Sequence, residues 1–444
     1  MTLKEILQNA GIAGAGGAGF PAYAKQAPGA DVFVVNGAEC EPLLYTDFTL
    51  IRLFLPQIGA GADAVVEAAG MKRAVLGIEK EKAKKLSLVE GQSIGKYTKI
   101  HLLPDAYPIG DEISLIYETT GRVVTPGKLP ITAGVIVGNV ESVLQMYAAL
   151  TEGKPVTDKW LTVAGAVKEP TVLRVPLGTP VKDILSYLHI EIPEGYMLLD
   201  GGPAMGRKIQ PETAVVKKTT KALTLISPDT EAALQRMRGE QSHKGLASTA
   251  CCQCTRCTDL CPRFLLGYPL QPHLMVRAAS YPNPNLELLK TATLCCGCGI
   301  CETVACSQGI SPKSIIAGYK AKLRQENMAF TPTPDRDYAP LDMRAYRKVP
   351  GARYATLLGV GNYHRIPSKI DTDFVARSVS IPLSGHIGAP SVACVSVGDK
   401  VEKGQVIATP ATGLSLPQHA SITGRVSSVT KDDITIENIE RKAE

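Results

Sequence analysis

Ten of the twelve cysteines fall between residues 251 and 306, in two compact blocks. The first is Cys251-Cys252-Gln-Cys254-Thr-Arg-Cys257-Thr-Asp-Leu-Cys261-Pro262, and the second is Cys295-Cys296-Gly-Cys298-Gly-Ile-Cys301-Glu-Thr-Val-Ala-Cys306. In each, a Cys-x-x-Cys-x-x-Cys run lets three thiolates converge on one cube, and a fourth cysteine lies further on. That is the ligand pattern of a ferredoxin-type module with two [4Fe-4S] clusters. A chain with two such clusters moves single electrons.

The spacing nominates Cys251, Cys254, Cys257 and Cys261, then Cys295, Cys298, Cys301 and Cys306. In two-cluster ferredoxins the fourth cysteine ligates the other cluster. Cys261 is therefore expected to complete the second-block cube, and Cys306 the first. Four residues rather than three precede Cys306, and Ser307 stands where proline is usual. Cys252 and Cys296 are spare, and each remains an alternative ligand. The competing chemistry is a pair of zinc sites. Zinc ligands typically come as separate Cys-x-x-Cys knuckles, whereas a triple run trailed by Cys-Pro is cluster-like. Cys40 and Cys394 are expected to be ordinary buried cysteines.

A chain of 444 residues should hold about three or four domains. With 45% of residues apolar and 20% charged, it is globular rather than disordered. Apolar stretches such as 133–137 fall short of the ~20 residues that span a bilayer. The start, Met1-Thr-Leu-Lys-Glu-Ile, lacks a signal-peptide hydrophobic region. The expectation is a soluble, cytoplasmic protein without membrane insertion, where clustered cysteines favour metal over disulfides. The net charge of +6 is scattered, and segment 79–85 interleaves both signs as a solvated helix face does. No basic patch points to nucleic acid.

The first ~150 residues alternate strand patterns (32–35, 74–78, 100–103, 135–137) with helical ones, including 111–120. This predicts a largely parallel sheet covered by helices. Short strands and turns with one helix (181–188) fill 160–227, an α+β module. Helical intervals, including 314–326, separate and follow the cysteine blocks. A polar, proline-rich linker begins at Thr331, and 378–437 is all-β with glycine turns. The expected domains are 1–155, 156–240, 241–330, a linker at 331–370, and 371–444.

The loop Gly14-Ala-Gly16-Gly17-Ala-Gly19-Phe20-Pro21 contains Gly-x-Gly-x-x-Gly. A Rossmann fingerprint must follow a strand and open a helix, and here a helix precedes it. Its glycines still allow close backbone approach and offer amides to a phosphate or flavin; the bland alternative is a flexible turn. Ligands of open α/β sheets bind beyond the carboxyl ends of the strands. Three polar segments follow strands directly: Asn36-Gly-Ala-Glu39-Cys-Glu41-Pro42, Tyr107-Pro-Ile-Gly110-Asp111-Glu112, and Asn139. All three should share one sheet edge. Asp111 and Glu112 also suit a helix N-terminus, which explains them but not three such clusters.

These residues, with Lys25, resemble the flavin- and NADH-binding subunit of respiratory complex I, and still more the RnfC electron-transfer subunits. The resemblance implies FMN held by the glycine loop, Lys25, Asn36, Glu39, Gly110, Asp111, Glu112 and Asn139. It implies NADH near Phe20, with Glu41 and Glu112 nearby. Ala38 stands where the complex I pattern has an acid. Residues 160–227 resemble the β-grasp module of these families. The C-terminal segment, with His386-Ile-Gly-Ala-Pro, Val397-Gly-Asp-Lys-Val-Glu-Lys-Gly404-Gln405 and Ser421-Ile-Thr-Gly424, resembles a biotinyl/lipoyl barrel-sandwich domain. The turn that would carry a modified lysine, between Gln405 and Gly424, contains none, so the domain should be structural or docking.

In RnfC proteins a similar module precedes the flavin domain; here it comes last. That order looks most like the PduS-type cobalamin reductases of propanediol-utilising bacterial microcompartments. The resemblance implies NADH oxidation at FMN and single-electron relay through two [4Fe-4S] clusters to cobalamin. It also implies a cob(I)alamin adenosyltransferase and a shell protein as partners, inside a microcompartment. Two other roles keep the motifs: a peripheral subunit of an Rnf-like membrane complex, and a non-enzymatic relay or scaffold. No Asp-x-His-x-x-Gly corrin-binding run is present, hydride transfer requires no side-chain base, and the seven histidines form no ligand pair.

Overall fold

The computed structural model describes residues 1–25, 29–334 and 336–439. The N-terminal unit contains helices α1 (Leu3–Asn9), α2 (Ala22–Lys25), α3 (Thr46–Ala69), α4 (Lys80–Lys85), α5 (Glu112–Thr120) and α6 (Val140–Glu152). Its strands are β1 (Val32–Asn36), β2 (Arg73–Glu79), β3 (Thr98–Leu103), β4 (Ala106–Tyr107) and β5 (Val135–Asn139). Four of these strands form a parallel sheet in the order β3-β2-β1-β5. Both faces are covered, which is why the strands read as continuous apolar runs. Phe33 and Val35 face a core shared with Leu50, Ile58 and Val65 of α3 and Val143 of α6. Val32 and Val34 face Leu115 and Ile116 of α5.

The register sets the working edge. Asn36 lies opposite Gly77 on one side and Asn139 on the other, so the polar segments after β1 and β5 leave from the same end. The expected strands are therefore all present, each extended by one or two residues.

Helix α3 was not distinguished by its sequence pattern. It is 24 residues long, and by length and composition it could cross a membrane, but half of its most apolar window is buried inside the protein. Phe54 leaves the helical region, with φ −132°, two residues before Pro56, as expected where a proline removes an amide donor. It packs on the sheet and α6 as a core helix.

The second unit is a six-stranded sheet with the helix Val181–Tyr187. Its last strand, Lys369–Asp371, comes from the segment expected to be a linker and pairs with Thr171–Pro176. The same segment pairs Val349–Pro350 with β4. Its helix Gly351–Leu357 buries Tyr354 completely. The described residues from 336 to 370 are thus a strap stitched to two units rather than a plain tether. Short helices carry the cysteine blocks, followed by Pro312–Gln325.

The C-terminal unit has a four-stranded and a three-stranded antiparallel sheet. The connection between Val406–Thr409 and Gln418–His419, where a lipoyl-type domain would carry its lysine, is inserted into the N-terminal unit. Leu416 is fully buried in that unit's core, and the Ser415 amide donates to the Tyr23 hydroxyl at 3.3 Å. Burying one such leucine contributes ~2 kcal/mol. Cys394, expected to be buried, is exposed on this domain.

Lys218 closes the junction, its ammonium donating to Gly11 O at 2.8 Å and Pro417 O at 3.2 Å. Burial lowers its pKa to about 7. The unfolded chain keeps the proton up to ~10.4, so stability rises with pH between about 7 and that value and is lowest at or below neutrality. Lys218→Met should raise the thermal midpoint at pH 6–7, and the gain should shrink towards pH 10. An equal change at both pH values would contradict this assignment.

Candidate functional site

The glycine loop folds back on itself at the carboxyl edge of the sheet. The Gly14 amide donates to Phe20 O at 2.9 Å and the Gly19 amide to Gly14 O at 3.2 Å. Gly17 and Gly19 have φ of +102° and +70°, a region that L side chains rarely adopt. The Ala15 amide is tied to the Ser142 hydroxyl of α6 at 2.9 Å. Gly16, Gly17 and Ala18 are exposed, and among the described residues their amides donate to no atom. Gly16 stands over Asn139, and nothing lies within 4 Å of where a Gly17 side chain would begin. Three exposed amides, with open space beside Gly17, suit the phosphate or ring of a flavin.

Around this loop the expected residues divide into two groups. Lys25 and Glu112 pair at 3.1 Å and are both partly exposed; Lys25 also donates to Val137 O at 3.0 Å. Phe20 is half-buried beside them in the loop. These remain accessible to a ligand. The other polar residues shape the backbone. Asn36 donates to Gly110 O at 3.0 Å and accepts from the Ala38 amide at 3.1 Å. The Gly110 amide donates to Cys40 Sγ at 3.2 Å. Asn139 accepts from the Glu141 amide at 3.0 Å, opening α6, and donates to Asp47 at 2.8 Å.

The three acids are likewise engaged. Glu39 is buried and accepts from the Asp47 and Phe48 amides at 3.0 and 3.3 Å, closing the start of α3. Burial raises its pKa, and the neighbouring Asp47 charge raises it further. Glu41 reaches across to the second unit, accepting from the Ala204 and Met205 amides at 2.7 and 3.1 Å. Its other oxygen, Oε2, is buried without a partner, and burial raises its pKa. Asp111 caps α5 through the Ser114 amide at 3.2 Å, so the helix-terminus alternative holds for it. Its second oxygen accepts from Arg263 at 2.7 Å.

The cysteines gather in two sets that cross the blocks. One cavity is lined by Cys251, Cys252, Cys254, Cys257 and Cys306, with His273 and Ser307. Burial pushes the Cys257 thiol up to about 12, and the charges of Cys306, Cys254 and Cys251 push it the same way. Burial likewise raises Cys261 to about 12, opposed by an amide bond from Phe264, and Cys295 and Cys296 raise it further. Cys301 is raised by burial and by Glu302, then by Cys295 and Cys261. Cys261 therefore lies near the second block and Cys306 near the first, the placement that an exchange of ligands would need. Among the described residues no three of these side chains converge tightly enough for a single metal ion. Crowded thiolates disfavour one another, a repulsion that iron bound between them would reverse.

The flavin-loop and cysteine regions touch. The Tyr107 hydroxyl, expected at the cofactor, instead donates to Cys298 O at 2.7 Å, and the Tyr354 hydroxyl joins it at 2.8 Å. The two rings stack with centroids 4.1 Å apart. Sequence reasoning missed Tyr354, Arg263, Lys159 and Lys221. Lys159 pairs with Glu141 inside the protein and donates to Ala15 O at 3.3 Å. Lys221 pairs with Asp47. A lysine beside the apolar strand runs could have flagged Lys159 and Lys221; no sequence signal marked Tyr354 or Arg263.

Comparison with known proteins agrees with this arrangement. Residues 7–148 match the Nuo51 FMN-binding domain, 250–311 a 4Fe-4S dicluster domain, and 366–440 the RnfC barrel sandwich hybrid domain. The chain is 38% identical over 439 residues to the cobalamin reductase PduS of Citrobacter freundii, covering 98% of this chain and 96% of that one. It is 37% identical over 437 residues to the Salmonella typhimurium PduS, with the same coverages. One component of the proton-translocating ferredoxin:NAD(+) oxidoreductase complex of Clostridium ljungdahlii is 32% identical over 274 residues, covering 60% of this chain and 57% of that protein.

A side chain at Gly110 would begin 2.2 Å from Ala38 O and 3.2 Å from Cys40 Sγ. Backbone cannot yield there as a flexible side chain would, so Gly110→Ala should cost ~1–3 kcal/mol and displace the loop. The expected outcome is a lower thermal midpoint with less FMN bound per chain, read by absorbance after desalting. Unchanged flavin content would contradict the role of this close approach.

Proposed function

Because the chain belongs to the cobalamin reductase PduS family, we propose that it oxidises NADH and passes the electrons singly, through FMN and two [4Fe-4S] clusters, to cobalamin. The balance is one NADH and two cob(II)alamin giving NAD+, one proton and two cob(I)alamin. Bound FMN would supply the exchange between a hydride and single electrons, which is the cofactor's own chemistry.

The chain's residues supply position and charge. The free amides of Gly16, Gly17 and Ala18, with Lys25, offer donors to an anionic flavin phosphate. Glu112, Asn36, Gly110 and Asn139 frame the space beyond the strands. Phe20 offers a face for the nicotinamide, and Glu41, with one unpartnered oxygen, offers an acceptor. Cys251, Cys254, Cys257 and Cys306 would hold one cube, and Cys261, Cys295, Cys298 and Cys301 the other.

The observation that carries this reading is the direct contact of the loop 107–112 with the cysteine region, through Cys298 O and Arg263. A flavin held beside that loop would lie next to the cysteines that would hold a cube. The same family resemblance implies a place in the cytoplasm, inside a propanediol-utilising microcompartment. There a cob(I)alamin adenosyltransferase would take the product and a shell protein would anchor the enzyme.

Anaerobically reconstituted protein should contain FMN, iron and acid-labile sulfide, and should form cob(I)alamin from cob(II)alamin only when NADH is added. The appearance of its absorbance checks this. Protein that carries flavin and clusters but consumes no NADH would be a relay and would overturn the proposal.

A further inference from the structure

The two sets of cysteines are not equivalent in depth. Cys261, Cys298 and Cys301 are buried and Cys295 is half-buried, whereas Cys252 and Cys254 are exposed and Cys251, Cys257 and Cys306 are half-buried. They also differ in what they touch. The flavin loop reaches the second set twice, through the Tyr107 hydroxyl on Cys298 O at 2.7 Å and through Asp111 on Arg263 at 2.7 Å. Arg263 follows Cys261 by two residues, is only 8% exposed, and lies beside the Cys296 thiol. Its guanidinium stands over the Tyr268 ring at 5.5 Å, and the Tyr268 hydroxyl donates to Val124 O of the N-terminal unit at 2.7 Å.

We propose that Arg263 joins the flavin loop to the set Cys261, Cys295, Cys298 and Cys301, which would hold the cube that receives electrons from a bound flavin, and that the more exposed set Cys251, Cys254, Cys257 and Cys306 would hold the cube through which they leave. This rests on the cofactor reading above. The corrinoid acceptor then meets the exposed face around Cys252, Gln253 and Cys254. For each NADH oxidised, two electrons would cross in succession, each to one cob(II)alamin, and the two cysteine sets would hold the groups that carry them. The proton released from NADH goes to solvent.

Arg263 is a positioning residue with an electrostatic consequence. Each cube gains one negative charge on reduction, and a buried cation beside it stabilises the reduced form, raising its potential. Asp111 holds the guanidinium in place by a charge-assisted bond.

The test compares wild type with Arg263→Gln, Arg263→Lys and Cys306→Ala, all reconstituted without oxygen. Freeze-quench electron paramagnetic resonance follows NADH pulses, and dithionite serves as the reference reductant. Cys306→Ala should lose the outer-cube signal, which assigns the spectra. It should keep NADH-driven reduction of the inner cube and lose cob(II)alamin reduction. In wild type the inner signal should rise first.

Arg263→Gln should lower the inner cube's midpoint potential, leave the outer one in place, and slow NADH-driven reduction about tenfold. Arg263→Lys should recover most of that loss, while dithionite reduces both cubes fully in either variant. An outer signal that rises first, a shift confined to the outer potential, or cob(II)alamin reduction surviving in Cys306→Ala would overturn the proposed order. If NADH reduced neither cube in wild type although dithionite reduced both, the cofactor reading itself would fail, and the order with it.

Discussion

The loop between β3 and α5 is the hinge of the whole arrangement, because one short stretch must serve two sites. Gly110 allows its backbone to press against Ala38, which draws Asn36 and the strand ends into one rim. Tyr107 and Asp111 leave the same loop in the other direction, to Cys298 O and Arg263. Arg263 and Asp111 form a nearly buried pair, 10% and 12% exposed. Removing one partner of such a pair leaves an uncompensated charge and typically costs ~3–5 kcal/mol. The pair therefore ties this loop firmly to the cysteine region.

The remaining units hold that contact in place. The strap 336–370 pairs with β4 and stacks Tyr354 on Tyr107, so it clamps the loop from outside. The barrel-sandwich domain drives Leu416 into the N-terminal core with the very turn that, in a lipoyl-type domain, carries a swinging arm. A turn anchored there by Leu416 and by the Ser415 amide on Tyr23 is not free to swing.

Much of this was legible in the sequence. Strands buried on both faces leave continuous apolar runs, so β1, β2, β3 and β5 appeared where expected. Cysteine spacing also anticipated that Cys306 would lie with the first block, whose cavity it lines. Polar residues were read less well, for a physical reason. A carboxylate after a strand can hold a ligand or satisfy backbone amides, and spacing alone does not separate the two. Glu39 closes α3, and Asp111 caps α5. Arg263 was invisible because its partner lies 152 residues away. The strap looked like a tether because its pairing strands are only two or three residues long.

The central claim is that two iron–sulfide cubes, each completed by a cysteine from the opposite block, stand in line behind the flavin rim. Anomalous diffraction at the iron edge, from crystals grown without oxygen, tests it most directly. The account expects two iron-rich peaks. One should be enclosed by Cys251, Cys254, Cys257 and Cys306, and the other by Cys261, Cys295, Cys298 and Cys301, with the second nearer Tyr107. Peaks at the zinc edge instead, or Cys261 and Cys306 each bound within its own block, would contradict it.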